Sequence, residues 1–227
     1  MKIGIVIAMD IEYRKMLEVL DGKPEGRIGD NDIVLCQCGI GKVNAAVGVM
    51  QLFYRHRPDC ILSTGLAGGI DASLQVGDVV VGAQTAYHDV DCGEGNEPGQ
   101  VQGLPARFDA HPALMDIAAK ASQESGANTR EGLICTGDQF ITDRARQMSI
   151  KQMFPEALAC EMESAAIAQA CYLTEKPFLS IRVVSDTPGN TDNHQQQWAD
   201  FLDRMTENSF RFVLQFLHRL PATLPTK

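Results

Sequence analysis

The sequence predicts an α/β fold in one domain. Apolar runs rich in β-branched residues alternate along the chain with segments of helical apolar spacing, the pattern of strands covered by helices. Carboxylates stand where several of those runs end. The 227 residues show no repeat, linker or composition break, which suits a single body over 1–220 followed by a disordered tail, 221–227.

Composition narrows the function classes. Hydrophobic residues make up 44% and charged residues 22%, ordinary for a globular protein. A net charge of −9 argues against a nucleic-acid or anionic-membrane surface. No apolar run approaches the ~20 residues of a membrane span. The opening MKIGIVIAMDIE is interrupted by acids too soon for a signal peptide and reads as a first strand. Seven cysteines, an odd number without a C-x-x-C pair, point to reduced thiols in a cytoplasmic protein.

Taken in order, residues 2–8 form a continuous apolar strand suited to a central position. Met9-Asp10-Ile11-Glu12 opens a helix, which places Glu12 in its first turn beyond the strand's carboxyl end. Asp30-Asn31-Asp32 reads as a hairpin turn before a strand over 33–38. The following Gly39-Ile40-Gly41-Lys42-Val43-Asn44 matches neither a P-loop nor a dinucleotide fingerprint. A helix over 43–55 carries Val43, Val47, Met50 and Tyr54 at helical spacing. After a strand over 60–63, Thr64-Gly65-Leu66-Ala67-Gly68-Gly69 reads as a glycine-rich turn, equally a structural turn or a backbone approach to ligand.

His88-Asp89-Val90-Asp91 invites a metal reading. Strand alternation sends His88 and Asp89 to opposite faces, so no metal site is assigned. Residues 92–105, rich in Gly, Glu and Pro, form a long loop. A helix over 112–125 and a strand over 131–136 lead to Gly137-Asp138-Gln139-Phe140-Ile141, then a helix over 143–154. Phe140 at a sheet edge can stack on a flat heterocycle or belong to the core.

Residues 159–186 organise the rest. An apolar run ends in Glu161-Met162-Glu163, an Ala-rich helix covers 164–173, and a strand over 178–184 ends in Ser185-Asp186. Ligands of open α/β sheets bind outside the carboxyl ends of strands, where this pattern puts Glu163 and Asp186, with Arg182 close by. Helix-dipole and turn roles explain either acid alone; together with the arginine they favour a site. A long amphipathic helix over 194–220 closes the domain, with Trp198 and Phe201 on its apolar face.

These segments resemble the nucleoside phosphorylase/nucleosidase superfamily, and within it the 5′-methylthioadenosine/S-adenosylhomocysteine nucleosidases. The matching pieces run from Ile7-Ala8-Met9-x-x-Glu12 through Gly39-Ile40-Gly41-Lys42-Val43 and Thr64-Gly65-x-Ala67-Gly68-Gly69. They continue in Val76-Gly77-Asp78, Tyr87-His88-Asp89-x-Asp91, Gly137-Asp138-x-Phe140-Ile141, Glu161-Met162-Glu163 and Arg182-x-x-Ser185-Asp186. The resemblance implies a three-layer phosphorylase/hydrolase-like fold, a mixed, barrel-like central sheet flanked by helices. It also implies a homodimer and cleavage of an adenine N-ribosidic bond without metal or organic cofactor.

By the same resemblance Asp186 protonates the base at N7, Ser185 orients it, and Glu12 activates water with Arg182 nearby. Glu163 holds the ribose hydroxyls and Met162 packs beneath the sugar. Phe140 stacks on the base and the Ile141 backbone reads its edge, with Ala8, Ile40, Ala67 and Gly68 as further substrate contacts. The chemistry needs these groups. A purine anion leaves poorly unless N7 is protonated, and general acid catalysis is worth roughly 10²–10⁴-fold. A free aspartate titrates near ~3.9, so Asp186 needs a buried setting. The cationic sugar is stabilised by the Glu163 charge.

Departures from the family pattern leave alternatives open. The first turn lacks the arginine with which the phosphorylases bind phosphate. Leu66 stands where the nucleosidases commonly carry serine, and residues 92–98 lack an aromatic that closes over a 5′-alkylthio group. Phosphorolysis, hydrolysis of another nucleoside (deoxyadenosine or futalosine-type), and nucleoside binding without turnover remain as alternatives.

Overall fold

The computed structural model describes residues 1–187, 194–204 and 210–225. Its elements are β1 (Lys2–Ile7), α1 (Asp10–Val19), β2 (Glu25–Ile28), β3 (Asn31–Gln37), α2 (Lys42–His56), β4 (Cys60–Gly69), β5 (Val79–Tyr87) and β6 (Phe108–Asp109). They continue with α3 (Pro112–Ser125), β7 (Thr129–Thr136), α4 (Arg144–Met153), β8 (Ala157–Glu161), α5 (Ser164–Leu173), β9 (Phe178–Asp186), α6 (His194–Arg204) and α7 (Arg211–Arg219).

The sheet is mixed and partly closed. Strands β3, β1, β4 and β9 pair in parallel in that order, β2 runs antiparallel to β3 and β8 to β4, and β9 meets β5 in antiparallel fashion. Strand β5 pairs with β7 and β7 with β8, both parallel, and β8 returns to β4 through Gly68 and Gly69. The ring β4–β9–β5–β7–β8 is the barrel-like part. Helices cover both faces. Ile3, Ile5 and Ile7 of β1 point to one layer with Met16 of α1, Leu114 of α3 and Phe212, Val213 and Phe216 of α7. Val6 points to the other, against Val49 and Leu52 of α2 and the alanines of α5. Small Ala165, Ala166 and Ala168 let α5 lie close to the strands.

Two expectations change. The glycine-rich stretch 64–69 is no turn but the second half of β4, because β9 on one edge and β8 at its end supply backbone partners. The hairpin turn falls at Gly29 and Asp30, with Asn31 already in β3. On α2 the helically spaced Val43, Val47, Met50 and Tyr54 are 75%, 50%, 49% and 87% exposed. The buried face of α2 is instead Ala45, Gly48, Val49 and Leu52, small enough for the helix to approach the sheet. The single helix expected over 194–220 corresponds to α6 and α7, with residues 205–209 outside those described. At the terminus the Met1 amino group donates to the Ala222 carbonyl at 2.8 Å, and Leu224 packs on the core. Residues 226–227 and most of the loop 187–193 lie outside the described part.

Candidate active site

Strand ends build the site. Beyond β1 the chain contributes Ala8, Met9 and, one helical turn on, Glu12; beyond β3 it contributes Ile40. The end of β4 adds Leu66, Ala67 and Gly68, and the segment after β7 adds Gln139, Phe140 and Ile141. From β8 and the entry to α5 come Cys160, Glu161, Met162 and Glu163, and from β9 Ser185 and Asp186. Together they enclose a cavity of about 380 Å³, closed on one side by Trp198 of α6. Every residue predicted for the site lines this cavity except Arg182, which lies behind its wall.

Four carboxylates face the cavity, each held differently. Glu12 is buried; its Oε2 accepts from the Met9 N–H at 3.0 Å and its Oε1 from the Leu66 N–H at 2.8 Å. Burial raises its pKa, opposed by Arg182 and those two N–H groups. Glu163 stands at the N-terminus of α5, yet its side chain does not cap the helix: Oε1 accepts from the Gly41 N–H at 2.8 Å. Burial, reinforced by Glu161, pushes Glu163 up to about 7.

Glu161 takes the capping role instead, its carboxylate accepting from the Glu163 and Ser164 N–H groups. It also accepts from the Thr136 hydroxyl. Asp186 is 1% exposed at the end of β9, and Ser185 Oγ donates to its Oδ1 at 2.6 Å while also reaching the Ala67 carbonyl at 3.3 Å.

Arg182 supplies the positive charge from below. Its Nη2 lies 2.7 Å from Glu161 Oε2 and donates to Ser63 Oγ at 2.8 Å and Ser164 Oγ at 2.9 Å. A buried guanidinium needs such a full set of acceptors to tolerate desolvation. Gly65 makes room for it: a Cβ there would stand 2.6 Å from Arg182 Nη1 and 2.8 Å from Glu12 Oε1. Glycine in this stretch serves side-chain approach within a strand.

The apolar lining suits a flat base and a greasy tail. Phe140 is half exposed, and the Trp198 ring meets it edge-on with centroids 5.9 Å apart. Residues 92–98 do not line the cavity; its aromatic cover comes from α6. Sequence reasoning placed Trp198 on a core-facing helix stripe, and only packing shows that the stripe ends over the cavity. Glu161, Cys160, Met9 and Gln139 were also missed, although the Glu161-Met162-Glu163 cluster already pointed to the first. Among the described residues, no group of three or more His, Cys, Asp or Glu is arranged to hold a metal.

Comparison with known proteins shows the family. The family model of the phosphorylase superfamily matches residues 2–218. The chain belongs to the phosphorylase superfamily. Its relatives in that superfamily include the 5′-methylthioadenosine/S-adenosylhomocysteine nucleosidase of Haemophilus influenzae, 38% identical over 97% of this chain and 100% of the relative. The corresponding enzyme of Neisseria meningitidis, solved with methylthio-immucillin-A, superposes with a TM-score of 0.91 at 37% identity, covering 96% of this chain and 99% of the other. That of Colwellia psychrerythraea, solved with adenine, superposes with a TM-score of 0.92 at 38% identity over 99% and 98% of the two chains. In this superfamily member the mixed α/β fold therefore stands as expected.

Proposed function

We propose that the protein is a purine nucleosidase that hydrolyses the N-ribosidic bond of an adenine nucleoside such as 5′-methylthioadenosine or S-adenosylhomocysteine. The observation that carries the reading is the cavity's charge: among the described residues lining it there are four carboxylates and no lysine or arginine. Such a wall repels phosphate and suits water as the nucleophile and a cationic sugar in the transition state. Arg14, the cation nearest to the first turn in sequence, is exposed and paired with Asp10 at 2.7 Å. Arg182 is occupied by Glu161 and two serines. The ligands held by solved relatives, adenine and methylthio-immucillin-A, and the substrates for which those relatives are named support the same reading.

In this reading Asp186, steadied by Ser185, gives a proton to N7 as the glycosidic bond stretches. Electrons of the breaking C–N bond pass to the base, and positive charge grows on the sugar. Glu163 accepts hydrogen bonds from the ribose hydroxyls, Met162 packs beneath the ring, and Phe140 covers the base. The Ile141 backbone reads the base edge, and Ala8, Ile40, Ala67 and Gly68 complete the walls. Glu12 takes the proton of the attacking water; burial raises its basicity, and Arg182 keeps that rise in check. Adenine and the free ribose derivative leave.

The active form is a homodimer in this reading, supported by the unpartnered apolar row Val43, Val47, Met50 and Tyr54 on α2.

The test is incubation of the purified protein, free of phosphate, with methylthioadenosine, S-adenosylhomocysteine, 5′-deoxyadenosine, adenosine and inosine, following free base by chromatography. Rapid adenine release from the thioethers is expected. A requirement for phosphate, with ribose 1-phosphate as product, would establish phosphorolysis instead. Tight nucleoside binding with no base released would establish a binding protein.

A further inference from the structure

Two separate loops carry the two ends of the cavity. Residues 137–141, after β7, hold Phe140 and Ile141; residues 39–41, after β3, end in the Gly41 N–H that donates to Glu163. Outside the cavity wall a compact charge cluster ties these loops together. Lys42 Nζ donates to both carboxylate oxygens of Asp89 at 2.8 Å. Asp89 Oδ2 accepts from the Asp138 N–H at 2.9 Å, and Asp138 Oδ1 accepts from the Lys42 N–H at 2.8 Å.

The three residues thus close a loop of bonds across the start of α2, the end of β5 and the base-side segment. The Lys42 and Asp89 side chains are only 23% and 12% exposed, so solvent screens the pair weakly. Gly41 is shaped for it: φ is +99°, and a Cβ would come within 2.9 Å of Asp138 Oδ1. Below, the buried His88 ring packs so tightly under Gly137 that a Cβ there would stand 2.4 Å from His88 Cε1.

We propose that Lys42 and Asp89 are positioning residues for the reaction, a clamp that holds Gly41 against Glu163 while anchoring the base-side loop. The inference rests on the reading of Glu163 as the ribose acceptor and of Phe140 and Ile141 as base contacts. A nucleoside spans both ends with a fixed base–sugar separation, so a misplacement of about 1 Å costs about 10²-fold in rate. Adenine alone touches one end. The base-side loop keeps a second anchor, the Gly137 N–H to the Glu161 carbonyl at 3.1 Å, so breaking the clamp loosens the ribose end more.

The experiment compares Lys42→Met, Lys42→Arg and Asp89→Asn with the parent chain, measuring kcat and KM on methylthioadenosine, adenine affinity by calorimetry, and the thermal midpoint. Expected for Lys42→Met and Asp89→Asn is a loss of about tenfold or more in kcat/KM, with adenine affinity held within about threefold. Lys42→Arg retains most activity, since a guanidinium reaches the same carboxylate. Unchanged kcat/KM in both broken variants would overturn the clamp. So would activity, adenine affinity and thermal midpoint falling in parallel, which marks general structural support. Asp89→Asn preserves side-chain shape and serves if Lys42→Met fails to fold. A Glu163→Gln enzyme with parental kinetics would overturn the ribose assignment beneath the proposal. A damaged Glu163→Gln enzyme beside unaffected clamp variants would overturn the clamp alone.

Discussion

Glu12 and Arg182 flank a single glycine: the missing Cβ of Gly65 leaves the carboxylate and the guanidinium the space each occupies. The two come from elements far apart in sequence, the first turn of α1 and the middle of β9, and β4 runs between them. Gly65 also sits at φ +155°, a conformation L side chains rarely adopt. Gly65→Ala should therefore displace both groups, lowering kcat/KM by about 10²-fold or more and stability by about 1–3 kcal/mol. Steady-state kinetics and a denaturant titration check both effects. Parental kinetics in this variant would show that the close approach is dispensable.

Asp186→Asn removes the proposed acid while keeping the acceptor for Ser185. Turnover should fall by roughly 10²–10⁴-fold with ligand affinity largely intact. Single-turnover base release and calorimetric titration with a nucleoside separate the two quantities. Normal turnover would assign the proton to another group.

The ion pair beneath the site should govern stability in a way that depends on both partners. Arg182 and Glu161 are 2% and 3% exposed at their side chains. Arg182→Met leaves Glu161 buried without its cation and should cost about 3–5 kcal/mol. The double variant Arg182→Met with Glu161→Gln should recover part of that loss, because no unpaired charge remains. Chemical denaturation of the single and double variants provides the measurement, and strictly additive losses would argue against coupling.

Glu163 should make the ligand-free enzyme less stable as pH rises. Its folded pKa, raised by burial to about 7, lies above the ~4.3 of an unfolded glutamate. Between these values the folded state keeps a proton that the unfolded chain has released. The associated stability is full below the unfolded pKa and is lost as pH climbs through about 7. Glu163→Gln removes this dependence, so its gain in thermal midpoint over the parent should be a few degrees larger at about pH 8 than at about pH 5. A pH-independent difference would contradict the raised value.

The exposed row on α2 gives a prediction about assembly. Val47→Glu with Met50→Glu should convert a dimer to a monomer in light scattering, at little cost to the fold, since both side chains are half exposed. A parental mass in the double variant would place the interface elsewhere.

Local pattern made much of this molecule legible. The runs at 2–8 and 178–184 declared buried strands, and the alanines of 164–170 declared a helix lying close to the sheet. Carboxylates placed at strand ends pointed to Glu12, Glu163 and Asp186 as cavity residues, because strand ends are where backbone and side chains are free of the sheet. On α2 periodicity declared the helix, although Val43, Val47, Met50 and Tyr54 share an exposed face. Helical spacing identifies a stripe without saying what covers it. The glycines of 64–69 misled for a related reason: a glycine-rich segment bends only if no strand lies alongside, and here β8 and β9 both do.

The sequence by itself determined most of the elements, their order and the carboxylates that stand at the strand ends. These follow from local hydrophobic periodicity and from side-chain chemistry, which travel with the residue. Only the tertiary structure decided that Glu161 rather than Glu163 caps α5, that Trp198 covers the cavity, and that Lys42 and Asp89 join the loops at its two ends. Each depends on which long-range neighbour occupies a given bond or face, and such choices arise when strands far apart in sequence close into one sheet.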